Sequence, residues 1–386
     1  MDEVVRHADV ETMLQVSRPV SPVMCLRPEV LQARAAEFCR LFPGRVLYAM
    51  KCNPHPRVLQ ALHAGGIAGF DTASVAEMAA VRRLFPSAGC YFHHPVKSRD
   101  AIERAYGEFG VRHFVVDHAS ELEKLISTIG RGDLVVHVRL ATPQTLASFN
   151  LSAKFGAEPG LAADLLRRID ALGLAAGITF HVGSLCRTVE AFGVALRLTG
   201  SVLADAGVPI RHLNVGGGFP ISYPGLTSPP LADYIGAVEA GVAALRLPPD
   251  CELIAEPGRA LVAEGASLVV QVQMRRDDKL YINDGVYGAL MDLRLTDGLN
   301  PPVRLLRPDG AVEAADEEEF TIFGPTCDSI DVLPLPWRLP AEVGEGDWIE
   351  VGLMGAYSQV FATDFNGLRS DVVVEVDDAP FRALAA

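Results

Sequence analysis

The 386-residue sequence has no C-x-x-C pair and no apolar run near the ~20 residues needed to cross a bilayer. It is also short of cations, with 34 Lys and Arg against 48 Asp and Glu, a formal charge of -14. Each shortage excludes something. The seven cysteines, at 25, 39, 52, 90, 186, 251 and 327, stand apart from one another, so neither a disulfide framework nor a zinc–thiolate site is expected. Met1-Asp2-Glu3-Val4-Val5-Arg6 lacks a basic stretch followed by an apolar one, and the expectation is a cytoplasmic protein with no membrane segment. An acidic chain is a poor nucleic-acid partner, because phosphate binding takes basic clusters; it suits a small cationic substrate.

What is present is a globular composition, 49% hydrophobic and 21% charged, with length for one large or two medium domains. Between residues 46 and 259, β-branched runs alternate with helical patterns. The runs are Val46–Ala49, Gly69–Asp71, Cys90–His93, His113–Asp117, Leu134–Leu140, Ile178–Val182, His212–Val215 and Glu252–Glu256. Stretches such as Pro56–Ala64, Val75–Leu84 and Val189–Ala206 read as the helices between them. Eight β-α units predict an α/β fold, a (β/α)8 TIM-like barrel, with an open doubly wound sheet as the alternative. The barrel is favoured because Lys51, Asp71, Arg139, His181, Gly216 and Glu256 all fall at or just past strand C-termini, where barrel enzymes build their sites. After about residue 264 the pattern becomes strands alone. The expected division is a barrel over 27–263 and a β domain, sandwich or barrel, over 1–26 and 264–386.

Four segments carry chemistry. Lys51 directly follows the apolar run Val46-Leu47-Tyr48-Ala49-Met50, where desolvation can expose a nucleophilic amine able to condense with a carbonyl; a lysine snorkelling at a rim is the plainer alternative. Asn214-Val215-Gly216-Gly217-Gly218-Phe219-Pro220 brings backbone N–H groups close enough to cradle a phosphate, or forms an ordinary tight loop. It lacks the G-x-G-x-x-G spacing of dinucleotide folds. Glu256-Pro257-Gly258-Arg259 closes another strand with a carboxylate and a guanidinium that either pair with each other or serve a pyridine nitrogen and a phosphate. In His181-Val182-Gly183-Ser184 the imidazole can pack on a planar ring and the hydroxyl can reach a phosphate. His93 and His94 adjoin a strand without a third ligand at metal spacing, so they read as rim or structural residues and no metal is expected.

With Tyr48-Ala49-Met50-Lys51-Cys52-Asn53-Pro54, Phe70-Asp71-Thr72-Ala73-Ser74, Cys327-Asp328-Ser329-Ile330-Asp331 and Gly355-Ala356-Tyr357-Ser358 added, the ordered motifs from about Pro22 to Gly367 resemble the ornithine, lysine and diaminopimelate decarboxylase family. These are pyridoxal 5'-phosphate (PLP) enzymes of alanine-racemase-like fold. The resemblance implies that Lys51 joins the cofactor covalently, His181 stacks on its ring and Glu256 faces the pyridine nitrogen. Ser184, Gly217, Gly218, Arg259 and Tyr357 would hold the phosphate, with Asp71, Glu77 and Arg139 arranging the lysine. It further implies a homodimer with shared sites, in which Cys327 and Asp328 come from the other subunit and Lys154 and Asp331 bridge the interface. Cys327 would return a proton at Cα; its alternative is a small buried hydrophobe.

For the substrate, the resemblance implies Asp328, Tyr287, Phe365 and a second acid after Asn283-Asp284-Gly285-Val286-Tyr287-Gly288. That position departs from the pattern: Leu295-Thr296 stand where Tyr-Asp is expected and Asp297 comes one residue late, so Thr296 and Asp297 are the candidates, and either a one-residue shift restores the contact through Asp297 or the pocket has changed. L-Ornithine or L-lysine is the expected substrate, giving putrescine or cadaverine in polyamine synthesis, with ornithine ahead. The alternatives are a same-fold decarboxylase for arginine, a diaminopimelate-like or a specialised amino acid, and a non-catalytic homologue that binds a regulatory partner.

Overall fold

The computed structural model describes residues 4–143, 154–312 and 316–382. Eight parallel strands close on themselves: β1 Arg45–Ala49, β2 Gly69–Thr72, β3 Gly89–Phe92, β4 His113–Val116, β5 Val135–Arg139, β6 Ala175–Thr179, β7 His212–Asn214 and β8 Glu252–Ala255. Closure is made by β8 against β1, with Ile254 opposite Arg45 and Ala255 opposite Val46. The strands are short and buried almost throughout, because helices cover their outer faces and side chains fill the interior. The open-sheet alternative is thereby excluded.

The helices begin where local chemistry lets them. Ser74 accepts from the Glu77 N–H while the Glu77 carboxylate accepts from the Ala73 N–H at 2.6 Å, a reciprocal cap for Val75–Leu84. Proline opens Pro28–Leu41, Pro56–Ala64 and Pro159–Ala171, where its missing N–H costs nothing.

The sixth strand begins three residues before the apolar run Ile178–Val182 suggests. Ala175-Ala176-Gly177 has little β character of its own, yet it pairs with β5 from Val135 onward. Gly177 is required there: a Cβ would lie 2.6 Å from Nδ1 of His137 on β5.

Outside the barrel, strands from both ends of the chain form a ten-stranded mixed sheet. Val23–Leu26 runs antiparallel to Ala266–Arg276 and parallel to Val373–Val376. A buried charge network holds this sheet, with Arg27 reaching Glu350 at 3.1 Å and Asp378 at 2.8 Å. Asn53 Nδ2 donates to the Gly355 carbonyl at 2.8 Å and the Tyr357 N–H to the Cys52 carbonyl at 2.9 Å, so a loop of the sheet is clamped to the turn carrying Lys51. No disulfide joins any of the seven cysteines, four of which are buried. Among the described residues no helix is long and apolar enough to cross a membrane.

Candidate active site

The C-terminal ends of the barrel strands converge on a cavity of about 300 Å³ lined by Lys51, Asp71, His181, Ser184, Gly218, Glu256, Arg259 and Tyr357, with Asp292, Leu295 and Phe361 at its edge. Eight residues expected from the sequence to share a site thus share one. Lys51 sits in a short 3-10 turn, Met50–Cys52, that ends β1. Its two neighbours are buried and its own side chain is exposed to the cavity.

Glu256 follows β8 and is the best-supported group in the cavity. Its Oε1 accepts from Asn214 Nδ2 at 2.6 Å and from the His93 ring. Burial works against its charge, but the charge and hydrogen bond of His93, the Asn214 amide and Lys51 outweigh burial and hold the carboxyl below its usual range. Asp71 is shifted the other way. Burial first, then Glu256, push it well above an ordinary carboxylate. Two buried acids with opposite shifts mark a division of labour, and Arg259 pairs with Asp292 instead of Glu256.

His181 stands after β6. Its Nδ1 accepts from the Gly183 N–H at 3.0 Å, and burial next to Lys51 and Arg139 lowers it to about 3, so the ring is neutral at physiological pH. The glycine loop needs its glycines. A Cβ on Gly217 would lie 2.6 Å from the Glu256 carbonyl oxygen, and one on Gly218 would lie 2.5 Å from that of Gly183, at a φ of +105°. Arg259 is buried; it donates to the Tyr223 hydroxyl at 3.0 Å, pairs with Asp292 at 2.8 Å and lies over the Tyr357 ring. Its Nε is buried without a hydrogen-bond partner among the described residues. Tyr357 is itself held at a left-handed φ of 54°.

Other expected residues lie elsewhere. Arg139 ends β5, stacked on Phe155, and is not among those lining the cavity. Tyr287, Asp328, Phe365 and Cys327 form a second group: the Tyr287 hydroxyl donates to Asp328 at 2.6 Å, the Tyr287 ring stacks on Phe365, and the exposed Cys327 meets Asn366. Asp331 is buried and accepts from the N–H groups of Val286 and Thr326. Lys154 is exposed, while residues 151–153 of its motif are outside those described. Asp297 is exposed and outside the cavity lining. The reason is a five-residue helix, Met291–Leu295, that turns Thr296 inward onto Asp292 at 3.0 Å and the next residue outward.

Three residues at the site escape sequence reasoning. His93 is not at the rim: its side chain is buried against Glu256. Asn214 ends β7 two residues before Gly216, inside a motif read only for its glycines. Asp292 lies on a helix where only strands were legible.

This geometry fits PLP. The loop at Gly217 and Gly218 is a cradle that a Cβ would fill, the unsatisfied Arg259 Nε is a donor awaiting an anion, and an ionised acid and a lysine amine flank the same cavity. Comparison with known proteins agrees. Residues 29–263 match the family described as pyridoxal-dependent decarboxylase, pyridoxal binding domain. A decarboxylase of Aspergillus flavus is 34% identical over 349 residues, covering 84% of this chain and 78% of that protein. The lysine/ornithine decarboxylase of Selenomonas ruminantium is 33% identical over 344 residues, covering 87% and 84%. Among solved structures, the arginine decarboxylase of Paramecium bursaria Chlorella virus bound to agmatine superposes with a TM-score of 0.84 at 26% identity, over 95% of this chain and 99% of that one. The chain therefore belongs to the fold-type III, alanine-racemase-like decarboxylases of the ornithine, lysine and arginine decarboxylase family. It is a PLP-dependent amino-acid decarboxylase.

Proposed function

We propose that this enzyme decarboxylates L-ornithine, with L-lysine as a second substrate, as a homodimer whose sites are shared between subunits. The relatives named for these two amino acids support the substrate class. The observation that carries the two-subunit reading is the separation of the groups. Lys51 and Glu256 line the barrel cavity, whereas Cys327, Asp328, Tyr287 and Phe365 stand together outside that lining. In this reading each subunit's second group completes its partner's cavity.

PLP, held by Lys51 until the substrate amine displaces that lysine, would supply an electron sink for the pair left at Cα when the carboxylate departs. The protein's part is binding and proton placement. Gly217, Gly218, Ser184, Arg259 and Tyr357 would anchor the phosphate, and neutral His181 would cover the ring without adding a positive charge. Glu256, kept ionised by His93 and Asn214, would hold a proton on the ring nitrogen. The Cys327 thiol returns one proton to Cα, so that CO2 leaves and an amine remains.

The distal ammonium of the substrate meets Asp328. The hydrogen bond from Tyr287 and the Ile330 N–H keep that carboxylate low and charged. Asp292 is engaged by Arg259 and Thr296, so it is not a free second acid. One charged acceptor, worth about 1.5–3 kcal/mol, selects a distal cation but sets chain length weakly, which accommodates both ornithine and lysine.

CO2 release from ornithine, lysine, arginine and diaminopimelate tests the assignment. Ornithine should give the highest kcat/KM and lysine the next. Preference for arginine or diaminopimelate would overturn the substrate, and activity on none of the four would overturn the function. Mixing inactive Lys51→Ala and Cys327→Ala chains tests the sharing: recovery of about a quarter of parental activity is expected from hybrid dimers with one intact site, and no recovery would contradict it.

A further inference from the structure

Barrel interiors are normally filled by layers of branched aliphatic side chains. In the N-terminal half of this barrel, separated from the cofactor cavity by the ring of His93, whose centroid is 4.8 Å from that of His137, three imidazoles take that place. His113 opens β4, His137 lies mid-strand on β5 and His212 opens β7. Their ring centroids form a nearly equilateral triangle with sides of 5.7, 5.4 and 5.2 Å. Nδ1 of His113 is 3.4 Å from Nε2 of His137, and one nitrogen from each ring lies within 4.8 Å of the other two. His137 is fully buried, and Nδ1 of His137 and of His212 are buried with no hydrogen-bond partner among the described residues. Enclosing polar ring nitrogens costs free energy unless they find partners.

We propose that His113, His137 and His212 form a binding site for one borderline divalent transition-metal ion of the Zn2+ class, separate from the PLP site. Three neutral imidazoles are the ligand set that such ions prefer, with metal–nitrogen bonds of about 2.0–2.1 Å. Tetrahedral bonds of that length place nitrogens roughly 3.3 Å apart. The His113–His137 pair already has this spacing, and a His212 nitrogen lies within 4.8 Å of both. Burial keeps all three rings in the neutral form that binds metal.

The neighbourhood was built to admit these rings. Gly177 pairs with both His137 and His212 in the sheet and leaves the space that a side chain would take from His137. Glu252 stands 3.5 Å from Nε2 of His212, held by Arg45, and can supply the fourth ligand. Glu252 also lines a cavity of about 350 Å³ together with Gly44, Arg45 and Gly69. Sequence spacing could not reveal the site, because the three histidines come from three different strands and match no local motif.

The test uses the PLP-loaded enzyme, washed with chelator, dialysed against Zn2+ or Co2+ and assayed for bound metal by elemental analysis. One ion per chain is expected, with Co2+ giving the d–d absorption of a tetrahedral nitrogen-rich site at wavelengths beyond the cofactor band. His212→Gln and His113→Asn should each weaken binding by about tenfold or more, with PLP content and far-ultraviolet circular dichroism unchanged. Substoichiometric uptake, octahedral Co2+ bands, or equal uptake by folded variants would overturn the proposal. Should both variants fail to fold, stoichiometry and the Co2+ spectrum of the parent decide it alone.

Discussion

Replacing Glu256 by glutamine removes one charge from the cavity and leaves its shape nearly unchanged. In the parent, Oε1 accepts from Asn214 at 2.6 Å and from His93, and the carboxylate stays ionised despite its burial. A glutamine carbonyl can still accept from both donors, so the fold and the phosphate cradle should survive. What disappears is the negative charge assigned to the cofactor's ring nitrogen. An opposite charge in contact with a titrating group shifts its pKa by about 1–3 units. At about 1.36 kcal/mol per unit, the variant loses about 1.4–4 kcal/mol of stabilisation for the protonated ring. Expressed in the barrier, this is a fall in kcat of roughly tenfold to a thousandfold. The assay is CO2 release at saturating substrate and PLP, with kcat expressed per cofactor bound so that occupancy does not enter. Glu256→Gln is expected to bind PLP nearly as well as the parent. A kcat within about threefold of the parent, or less than ~0.7 kcal/mol, would refute the role given to Glu256.

Further predictions concern the cradle and the buried acid pair. Gly218→Ala places a Cβ 2.5 Å from the Gly183 carbonyl oxygen and 2.8 Å from Val182, at a left-handed φ; strain of about 1–3 kcal/mol should weaken PLP binding by roughly five- to hundredfold in an absorbance titration, and unchanged affinity would contradict the close approach. Asp71 titrates higher folded than unfolded, raised from 3.8 to about 7, so the native state holds its proton more tightly and this group's cost to stability grows as pH rises between those values. Apoprotein carrying Asp71→Asn should therefore match the parent in urea unfolding near pH 4 and exceed it above pH 7. An advantage that shrinks as pH rises would show the sign to be wrong.

Much of the barrel was legible because its strands are short buried runs, six of them ending at or near Lys51, Asp71, Arg139, His181, Gly216 or Glu256, and because those runs alternate cleanly with helical patterns through residue 259. The sixth strand was misplaced because Ala175-Ala176-Gly177 is chosen for its lack of bulk, which only the neighbouring His137 explains. The phosphate cradle, Lys51 and Glu256 could be found because each lies on a contiguous motif. His93 and Asn214 could not, since their function is expressed in contacts with Glu256 across 163 and 42 residues of sequence. Asp292, and the inward turn of Thr296, escaped for a different reason. A five-residue helix within a run of strands sets which side chain turns inward, and so brief a segment carries too few residues to display a period.

The most direct test is to reduce the PLP-loaded enzyme with borohydride, digest it and locate the modified peptide by mass spectrometry. One pyridoxyl phosphate group per chain, on the ε-amine of Lys51, is the predicted result. A label on any other lysine, or a chain that binds PLP and remains unlabelled, would contradict it.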